Sequence, residues 1–275
     1  MGTRAAGWYA SEPTSRVAAT TTTGSNARDA SRSAAAAEAA TSNVLLASLP
    51  RELREDLVAR ATLVPLVQGE VVERQGGAKR VFFPLSGMLT GVRTREDGTH
   101  YAYLHRGREA AVNAIGLVRP EVSVGGCDLV VDVPGKALVL DVEYYRSVLE
   151  RSPALMRAVL SHASHVINWR ELSADCAGHH PVRARTAYFL MLLRAHQVSD
   201  TLAVTHARIA EVLGVRRQSI SEALGELRSR RVTSLDRGRI TVQDRNALRQ
   251  QACDCRRNVD SAQELQIAGR FEYTG

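Results

Sequence analysis

The stretch from residue 201 to residue 242 constrains the fold of this chain more than any other, because it holds two short helical patterns separated by a glycine. The apolar residues of the first pattern share one face: Ile209, Val212 and Leu213. Thr205 stands at the N-cap position, where a hydroxyl can accept a bond from a free backbone N–H. Gly214 can then adopt the left-handed conformation that turns the chain sharply. The segment therefore predicts a helix, a tight turn and a second helix.

The second pattern begins near Arg216 and has one apolar and one polar face. Its apolar residues recur at steps of three and four: Ile220, Ala223, Leu224 and Leu227. The other face carries side chains that bind bases and phosphates: Arg217, Gln218, Ser221, Glu222 and Arg228. A tight hairpin at residues 236–239 follows. Together these features predict a winged helix-turn-helix whose second helix enters a DNA major groove. The alternative is a pair of ordinary core helices around a glycine.

Positive charge is concentrated in the C-terminal quarter of the chain. Residues 180–255 contain thirteen arginines, no lysine and seven acidic residues, which accounts for six of the seven net positive charges. Such a surplus favours contact with a polyanion, and arginine makes forked contacts with phosphate and guanine edges. Without the motif beside it, a solvated basic surface is an equal alternative.

The composition is that of a soluble protein. With 275 residues, 44% of them hydrophobic, the chain is long enough for two modest domains. Its longest apolar runs, such as residues 188–193 and 137–140, are far shorter than the roughly 20 residues that span a bilayer. We therefore expect no membrane association and a cytoplasmic location.

Four cysteines, at positions 127, 176, 253 and 255, are too few and too unevenly spaced for a disulfide framework or an iron–sulfur cluster. Cys253 and Cys255 could hold a soft metal or form a redox pair. The favoured interpretation is two thiols near a frayed C-terminus. We therefore predict no metal and no cofactor.

Residues 44–145 show the pattern of a β-domain. Glycines at intervals of eight to eleven residues separate short strand-like segments: Glu70–Glu73, Val81–Phe83, Leu89–Val92, Tyr101–Leu104 and Leu129–Val131. Even spacing of this kind predicts an all-β barrel or jelly roll, with a strand sandwich as the weaker alternative. A short helix over residues 51–60 precedes it. Residues 1–43 are rich in Ala, Ser and Thr and are expected to be disordered.

A long helix is predicted to begin at Ser152 and Pro153, a cap residue followed by proline at the first helical position. Its apolar stripe alternates steps of four and three, with a second row beside it: Leu155, Val159, His162, Val166 and Trp169, then Met156, Leu160, Ala163 and Ile167. A stripe this broad predicts pairing with a second copy in a homodimer. The alternative is a helix that lies against its own β-domain. Gly178 is expected to end this helix, and Pro181 to open another that runs to about Arg194.

These elements resemble the CRP/FNR family of bacterial transcription regulators over about residues 44–255. The resemblance is strongest in Leu213-Gly-Val-Arg-Arg-Gln-Ser-Ile-Ser221 and in Arg237-Gly-Arg-Ile-Thr-Val-Gln-Asp-Arg245. Phe83-Pro-Leu-Ser-Gly87 is similar to the family's first β-roll turns. His180-Pro-Val182 and the Cys253-Asp-Cys255 tail are typical of one subgroup.

The resemblance implies an α+β fold with an N-terminal double-stranded β-helix (jelly roll) domain. The expected divisions are a disordered tail (1–43), a cyclic-nucleotide-binding-like β-roll (44–145), a dimerisation helix (146–178), a winged helix-turn-helix domain (179–255) and a C-terminal tail (256–275). The implied function is sequence-specific binding of double-stranded DNA by a homodimer, with no enzymatic activity and no catalytic residues. RNA polymerase is a candidate partner, and the sequence names no small-molecule effector.

The resemblance also implies which residues contact DNA. The second helix of the motif corresponds to the family's recognition helix and is expected to contact base edges, while residues around it contact phosphates. The expected contact residues are Arg216, Arg217, Gln218, Ser219, Ser221, Glu222, Thr205, His206, Arg237 and Arg239. Glu222 stands where relatives often have arginine. A carboxylate accepts from cytosine, which implies a changed base preference, unless Glu222 pairs with Arg217 or Arg228 and contacts no base.

Two further departures from the family pattern carry predictions. Residues 114–117 lack the glutamate that follows a glycine in cyclic-nucleotide binders, and the family's Arg-Ser pair falls on Gly125 and Gly126. A buried phosphate needs a cation or several donors, so we expect cyclic AMP and cyclic GMP not to bind. After the recognition helix, Arg230-Arg-Val replaces the usual glycine turn, which predicts a non-glycine residue in a left-handed conformation.

Two other functions compete with DNA binding. The first is a metal-dependent β-barrel enzyme of the cupin kind, for which His100, His105 and Glu109 are the candidate ligands. Five residues apart on one strand, the two histidines would lie on opposite faces and converge poorly. The second is an effector-sensing module that acts through protein partners, with the helix-turn-helix as a scaffold.

Overall fold

The chain folds into an antiparallel β-domain, a long helix and a small α/β domain. The computed structural model describes residues 40–255 apart from 75–78, 97, 99, 116–126 and 198. The elements follow in this order: α1 (Val44–Ala47), α2 (Arg51–Arg60), β1 (Thr62–Leu66), β2 (Val71–Glu73), β3 (Arg80–Thr94), β4 (His100–Arg106), β5 (Asp128–Asp141), α3 (Val142–Arg151), α4 (Pro153–His179), α5 (Val182–Gln197), β6 (Thr201–Leu202), α6 (His206–Leu213), α7 (Arg217–Ser229), β7 (Thr233–Asp236), β8 (Arg239–Val242) and α8 (Arg245–Gln251).

The β-domain is a jelly-roll-like antiparallel sheet in the order β1-β5-β3-β4, with β2 also paired to β5. The sheet does not close among the described strands. Its two long strands correct the sequence prediction, because Gly87 and Gly135 lie inside β3 and β5 instead of in turns between short strands. A Cβ at Gly135 would collide with the backbone of Ser86, so glycine here permits close approach of the two strands. Residues Phe83–Gly87, which the family resemblance placed in turns, therefore lie within β3, where the pairing with β5 shifts its register.

The described part of the chain begins at residue 40, before the predicted start of the β-domain at residue 44. Asn43 is fully buried, and its Oδ1 accepts from the backbone N–H of Leu46 at the start of α1. Its Nδ2 donates to the carbonyl oxygens of Pro84 and Ala110 at 3.0 and 2.8 Å. The prediction of a disordered tail through residue 43 is thus wrong for its last residues. The rest of that tail, 1–39, and the C-terminal tail, 256–275, lie outside the described residues.

The long helix α4 begins as predicted, with the Ser152 hydroxyl accepting from the N–H of Leu155 and Pro153 in the first turn. Leu155 and Val159 on one face are buried in the core of the β-domain. Leu160 and Ile167, from the second row of the stripe, are 59% and 56% exposed. The helix thus lies against its own β-domain, which was the alternative interpretation, and Leu160 and Ile167 of its second apolar row are exposed in the single chain.

The end of α4 differs slightly from the prediction. Gly178 lies within the last turn, and the helix continues to His179, with His180 as the C-cap. The N–H of His180 still bonds the carbonyl of Cys176 at 3.2 Å, which keeps the final turn closed. The next helix, α5, begins after Pro181 and extends to Gln197.

The C-terminal domain consists of α5 to α8 and a three-stranded sheet in the order β6-β8-β7. Its core includes Leu190, Ile209 and Leu224, and Met88 and Val133 from the β-domain pack into the same cluster. The two domains therefore share apolar contacts.

Among the described helices, none combines the length and the apolar character needed to cross a bilayer.

Candidate nucleic-acid interface

The first helix of the predicted motif, α6, is held at both ends by local interactions. Thr205 caps it, with its Oγ1 accepting from the N–H of Arg208 at 3.1 Å. Gly214 ends it in the left-handed conformation, at φ 64° and ψ 37°, as the sequence predicts. The N–H of Val215 then bonds the carbonyl of Ala210 at 3.0 Å. This turn directs the chain into α7.

The second helix, α7, presents its polar face to solvent. Its apolar face is 3% exposed or less at each of four positions: Ile220, Ala223, Leu224 and Leu227. Four predicted contact residues on the other face are exposed: Arg217, Gln218, Ser221 and Glu222. Arg216 at the N-cap is exposed as well, and Ser219 is half-buried. Burial of one face fixes the rotation of the helix, so the polar row stays outward.

Hydrogen bonds arrange the polar row. Gln218 Nε2 donates to Glu222 Oε1 at 3.0 Å, so Glu222 is paired with the neighbouring amide and not with the arginines that the sequence suggested. His206, at the start of α6, has Nδ1 3.0 Å from Ser221 Oγ. Burial lowers the pKa of His206, and the charge of Arg217 lowers it further. The imidazole is therefore neutral at pH 7.

The hairpin β7–β8 forms the wing. Gly238 turns it at φ 74°, and Arg237 and Arg239 are exposed on either side of that glycine. Arg231, between α7 and β7, has φ 59°, so the predicted left-handed non-glycine residue is present. Its N–H bonds the carbonyl of Arg228 at 2.9 Å, which holds the strained turn at the end of α7.

Several arginines of this domain do not face solvent as free cations. Arg183 lies 3.1 Å from Glu226, and Arg194 and Arg245 each lie 2.6 Å from Asp200. The exposed positive charge is therefore smaller than the arginine count suggests. It concentrates near α7 and the wing.

Arg208 has a structural role that the sequence did not predict. It lies on α6 with its side chain 5% exposed and forms a forked ion pair with Asp132 of β5, at 2.8 and 2.9 Å. Glu211 pairs with the same guanidinium. Burial by itself would lower the pKa of Arg208, but the carboxylates of Asp132 and Glu211 together outweigh burial and raise it. The pair joins the helix-turn-helix to the β-domain, and no local spacing reveals it.

A hydrogen-bond chain continues from this pair into the sheet. Thr90 Oγ1 donates to Asp132 and lies 3.0 Å from His105 Nδ1. His105 is 8% exposed, and desolvation lowers its pKa to about 4. A neutral, buried imidazole in this position is structural.

The candidate ligands of the cupin-like alternative do not converge among the described residues. His105 is bound to Thr90, and His100 has Nδ1 2.9 Å from Thr94. Glu109 accepts from the N–H of Gly107 at 2.7 Å. Each candidate thus has a different partner, and the metal-enzyme interpretation is unsupported.

Three of the four cysteines meet, contrary to the expectation from their spacing. Cys176, Cys253 and Cys255 are all buried and none forms a disulfide, and His180 lies beside them. The interpretation of two thiols at a frayed end is therefore wrong. The chain path, not sequence proximity, brings Cys176 to the other two.

Comparison with known proteins agrees with this architecture. Residues 184–251 match the family model of the Crp-like helix-turn-helix domain. The chain is similar to the global nitrogen regulator of Nostoc sp. strain PCC 7120, at 25% identity over 172 residues, covering 60% of this chain and 77% of the relative. The global nitrogen regulator of Synechocystis sp. strain PCC 6803 is 26% identical over 181 residues, with 63% and 80% covered.

Solved structures share the fold. A transcriptional regulator of the CRP/FNR family from Thermus thermophilus superposes with a TM-score of 0.58 at 16% sequence identity, over 70% of this chain and 98% of that one. At this identity the likeness concerns the fold alone.

Proposed function

We propose that this chain is a transcription regulator of the CRP/FNR type, and that it binds DNA as a homodimer with α7 in the major groove. The observation that carries the proposal is the exposed polar row of α7 above a fully buried apolar face. A helix that is fixed in rotation and offers guanidinium, amide and carboxylate groups on its outer side suits base edges in that groove.

We assign base contacts to Arg217, Gln218, Ser221 and Glu222. Arginine pairs with guanine and glutamine with adenine, whereas Glu222 accepts from the cytosine amino group. Because Gln218 donates to Glu222, the two side chains are preorganised as one unit. We expect them to specify adjacent bases.

We assign phosphate contacts to the residues around the recognition row: Arg216, Ser219, Thr205, His206, Arg237 and Arg239. The Thr205 hydroxyl already accepts a backbone N–H bond and retains its own proton to donate to a phosphate oxygen. The exposed wing arginines add charge that tracks the backbone.

Dimerisation is proposed through the second apolar row of α4, where Leu160 and Ile167 are exposed in the single chain. A row at steps of four and three matches the seam of a two-helix coiled coil. Two copies related by a two-fold axis would place the α7 helices on successive major grooves, about 34 Å apart. Such a regulator works in the cytoplasm beside RNA polymerase, and we propose that enzyme as a partner.

Selection of bound duplexes from a random pool tests this function. We expect an inverted repeat with half-sites about 10 base pairs apart, and an affinity that falls steeply with salt. Equal binding to all duplexes at every salt concentration would contradict the assignment of sequence-specific recognition.

We further propose that cyclic AMP and cyclic GMP do not gate the protein. Gly125 and Gly126 replace the family's arginine and serine, and they lie outside the described residues. Titration calorimetry of either nucleotide into the full chain is expected to show no sub-micromolar binding, and tight binding would overturn this point.

A further inference from the structure

Four side chains with metal-binding atoms converge at the junction of α4 and the end of the C-terminal domain. Cys176 lies in the last turns of α4, His180 caps that helix, and Cys253 and Cys255 follow α8. One ligand atom from each residue lies within 4.8 Å of the other three. Among the described residues this is the one such group.

The spacing suits a single ion in a tetrahedral site. Cys176 Sγ lies 3.5 Å from Cys253 Sγ, and Cys255 Sγ lies 3.4 Å from His180 Nδ1. A zinc ion with bonds of about 2.3 Å to sulfur separates its ligands by roughly 3.8 Å. An iron–sulfur cluster places several irons between its thiolates and requires wider separations. One disulfide would use only two of the four side chains.

The orientation of His180 supports ligation through Nδ1. Its Nε2 faces the opposite way and lies 3.5 Å from Asp254 Oδ1. A carboxylate near the second nitrogen favours a proton on Nε2, which leaves Nδ1 free to bind a metal. Asp254, between Cys253 and Cys255, thus helps to orient the His180 ring for metal binding.

The surroundings are those of a closed structural site. The three cysteines are 7 to 8% exposed and pack with Ala184 in an apolar cluster. A cavity of about 270 Å³ borders the group, is lined by Cys176 and Cys255, and offers an entry path. Burying three thiols with a histidine is typical of sites in which the ion supplies folding free energy.

We propose that Cys176, His180, Cys253 and Cys255 bind one Zn²⁺ ion, which fastens the end of the DNA-binding domain to the long helix. Cys176 and Cys253 are 77 residues apart, so the ion closes a loop that contains the entire helix-turn-helix and wing. Each bound thiol releases its proton to solvent as the thiolate bonds to zinc. The ion constrains the domain that carries α7, whatever DNA sequence α7 recognises.

Metal analysis of the full chain, purified under reducing conditions, tests the proposal. We expect about one zinc per chain, released when the thiols are modified. Cys253→Ser and Cys255→Ser should each lose most of this metal. Cys127→Ser, in the β-domain, is the matched control and should retain it.

Cobalt substitution keeps the test valid if the serine variants misfold. Cobalt in the wild-type chain should show the absorption bands of a tetrahedral site with thiolate ligands. His180→Cys should retain one ion, with stronger thiolate charge-transfer absorption. A reduced wild-type chain without stoichiometric metal, iron with inorganic sulfide in place of zinc, or zinc that survives both serine substitutions would overturn the proposal.

Discussion

Two arginines of the helix-turn-helix lie in opposite environments. Arg217 and Arg208 are both helix arginines of the same motif, yet Arg217 faces solvent and Arg208 is 5% exposed in an ion pair with Asp132. Periodicity predicts the exposure of Arg217 because its helix has a continuous apolar face elsewhere. It does not predict the burial of Arg208, because Asp132 is 76 residues away in sequence.

Truncation of Arg217 should weaken specific binding in particular. Loss of a forked base contact in Arg217→Ala is expected to cost about 1–3 kcal/mol on the selected site. Gel-shift titrations on selected and random duplexes measure it. Arg51→Ala, an exposed arginine on α2 of the β-domain, is the control and should leave both affinities unchanged. An equal loss on both duplexes would instead make Arg217 a phosphate contact.

The turn after α7 stores backbone strain in Arg231. Glycine lacks the Cβ that makes φ 59° unfavourable, so Arg231→Gly should stabilise the chain relative to Arg230→Gly by about 1–2 kcal/mol. Arg230, with φ −86°, is the matched neighbour, at which glycine adds unfolded-state entropy and removes an exposed hydrogen bond from the guanidinium to Gln251 Oε1 at 3.1 Å. Urea unfolding compares the two variants. A less stable Arg231→Gly would show that the arginine side chain itself holds the turn.

At the scale of elements, local signals located helices better than strands. Caps and periodicity placed α2, the start of α4 and the pair α6–α7, because a helix satisfies its backbone within one segment. Strands β3 and β5 were divided at Gly87 and Gly135, since a glycine that permits close pairing looks the same in sequence as a glycine in a turn.

The exposed row of α4 should decide the oligomeric state. A buried charge at a coiled-coil seam is unfavourable, so Leu160→Glu and Ile167→Glu should each convert a dimer to a monomer. Asn168→Glu, exposed and beside the row, is the control and should stay dimeric. Analytical ultracentrifugation measures the outcome. Dimers that tolerate both glutamates would place the interface on another surface.

At the scale of the whole molecule, the two domains are joined by a shared core and a buried ion pair. Met88 and Val133 of the β-domain pack with the helix-turn-helix core, and Asp132 beside them holds Arg208. Gln68 adds bonds from its Nε2 to the carbonyls of Asp132 and Ala203 at 3.0 and 2.9 Å. Movement of one domain relative to the other must break these contacts.

Neutralising Asp132 should destabilise the chain strongly. Asp132→Asn leaves the Arg208 cation buried with one acidic partner fewer, which is expected to cost on the order of 3 kcal/mol. Asp200→Asn removes a carboxylate from the solvent-accessible pairs with Arg194 and Arg245, and we expect a much smaller loss because water screens them. Thermal unfolding compares the two. Equal losses would show that the buried pair contributes no more than a surface one.

The amino-acid sequence by itself determined the helix-turn-helix, its cap at Thr205, its glycine turn and the exposed row on α7. Each of these depends on residues within a few positions of one another, where hydrogen bonding and side-chain period act directly. Only the tertiary structure decided that Arg208 is buried against Asp132, and that Cys176 meets Cys253 and Cys255. Those contacts join distant segments, and their existence depends on the path of the whole chain as it buries its apolar surface.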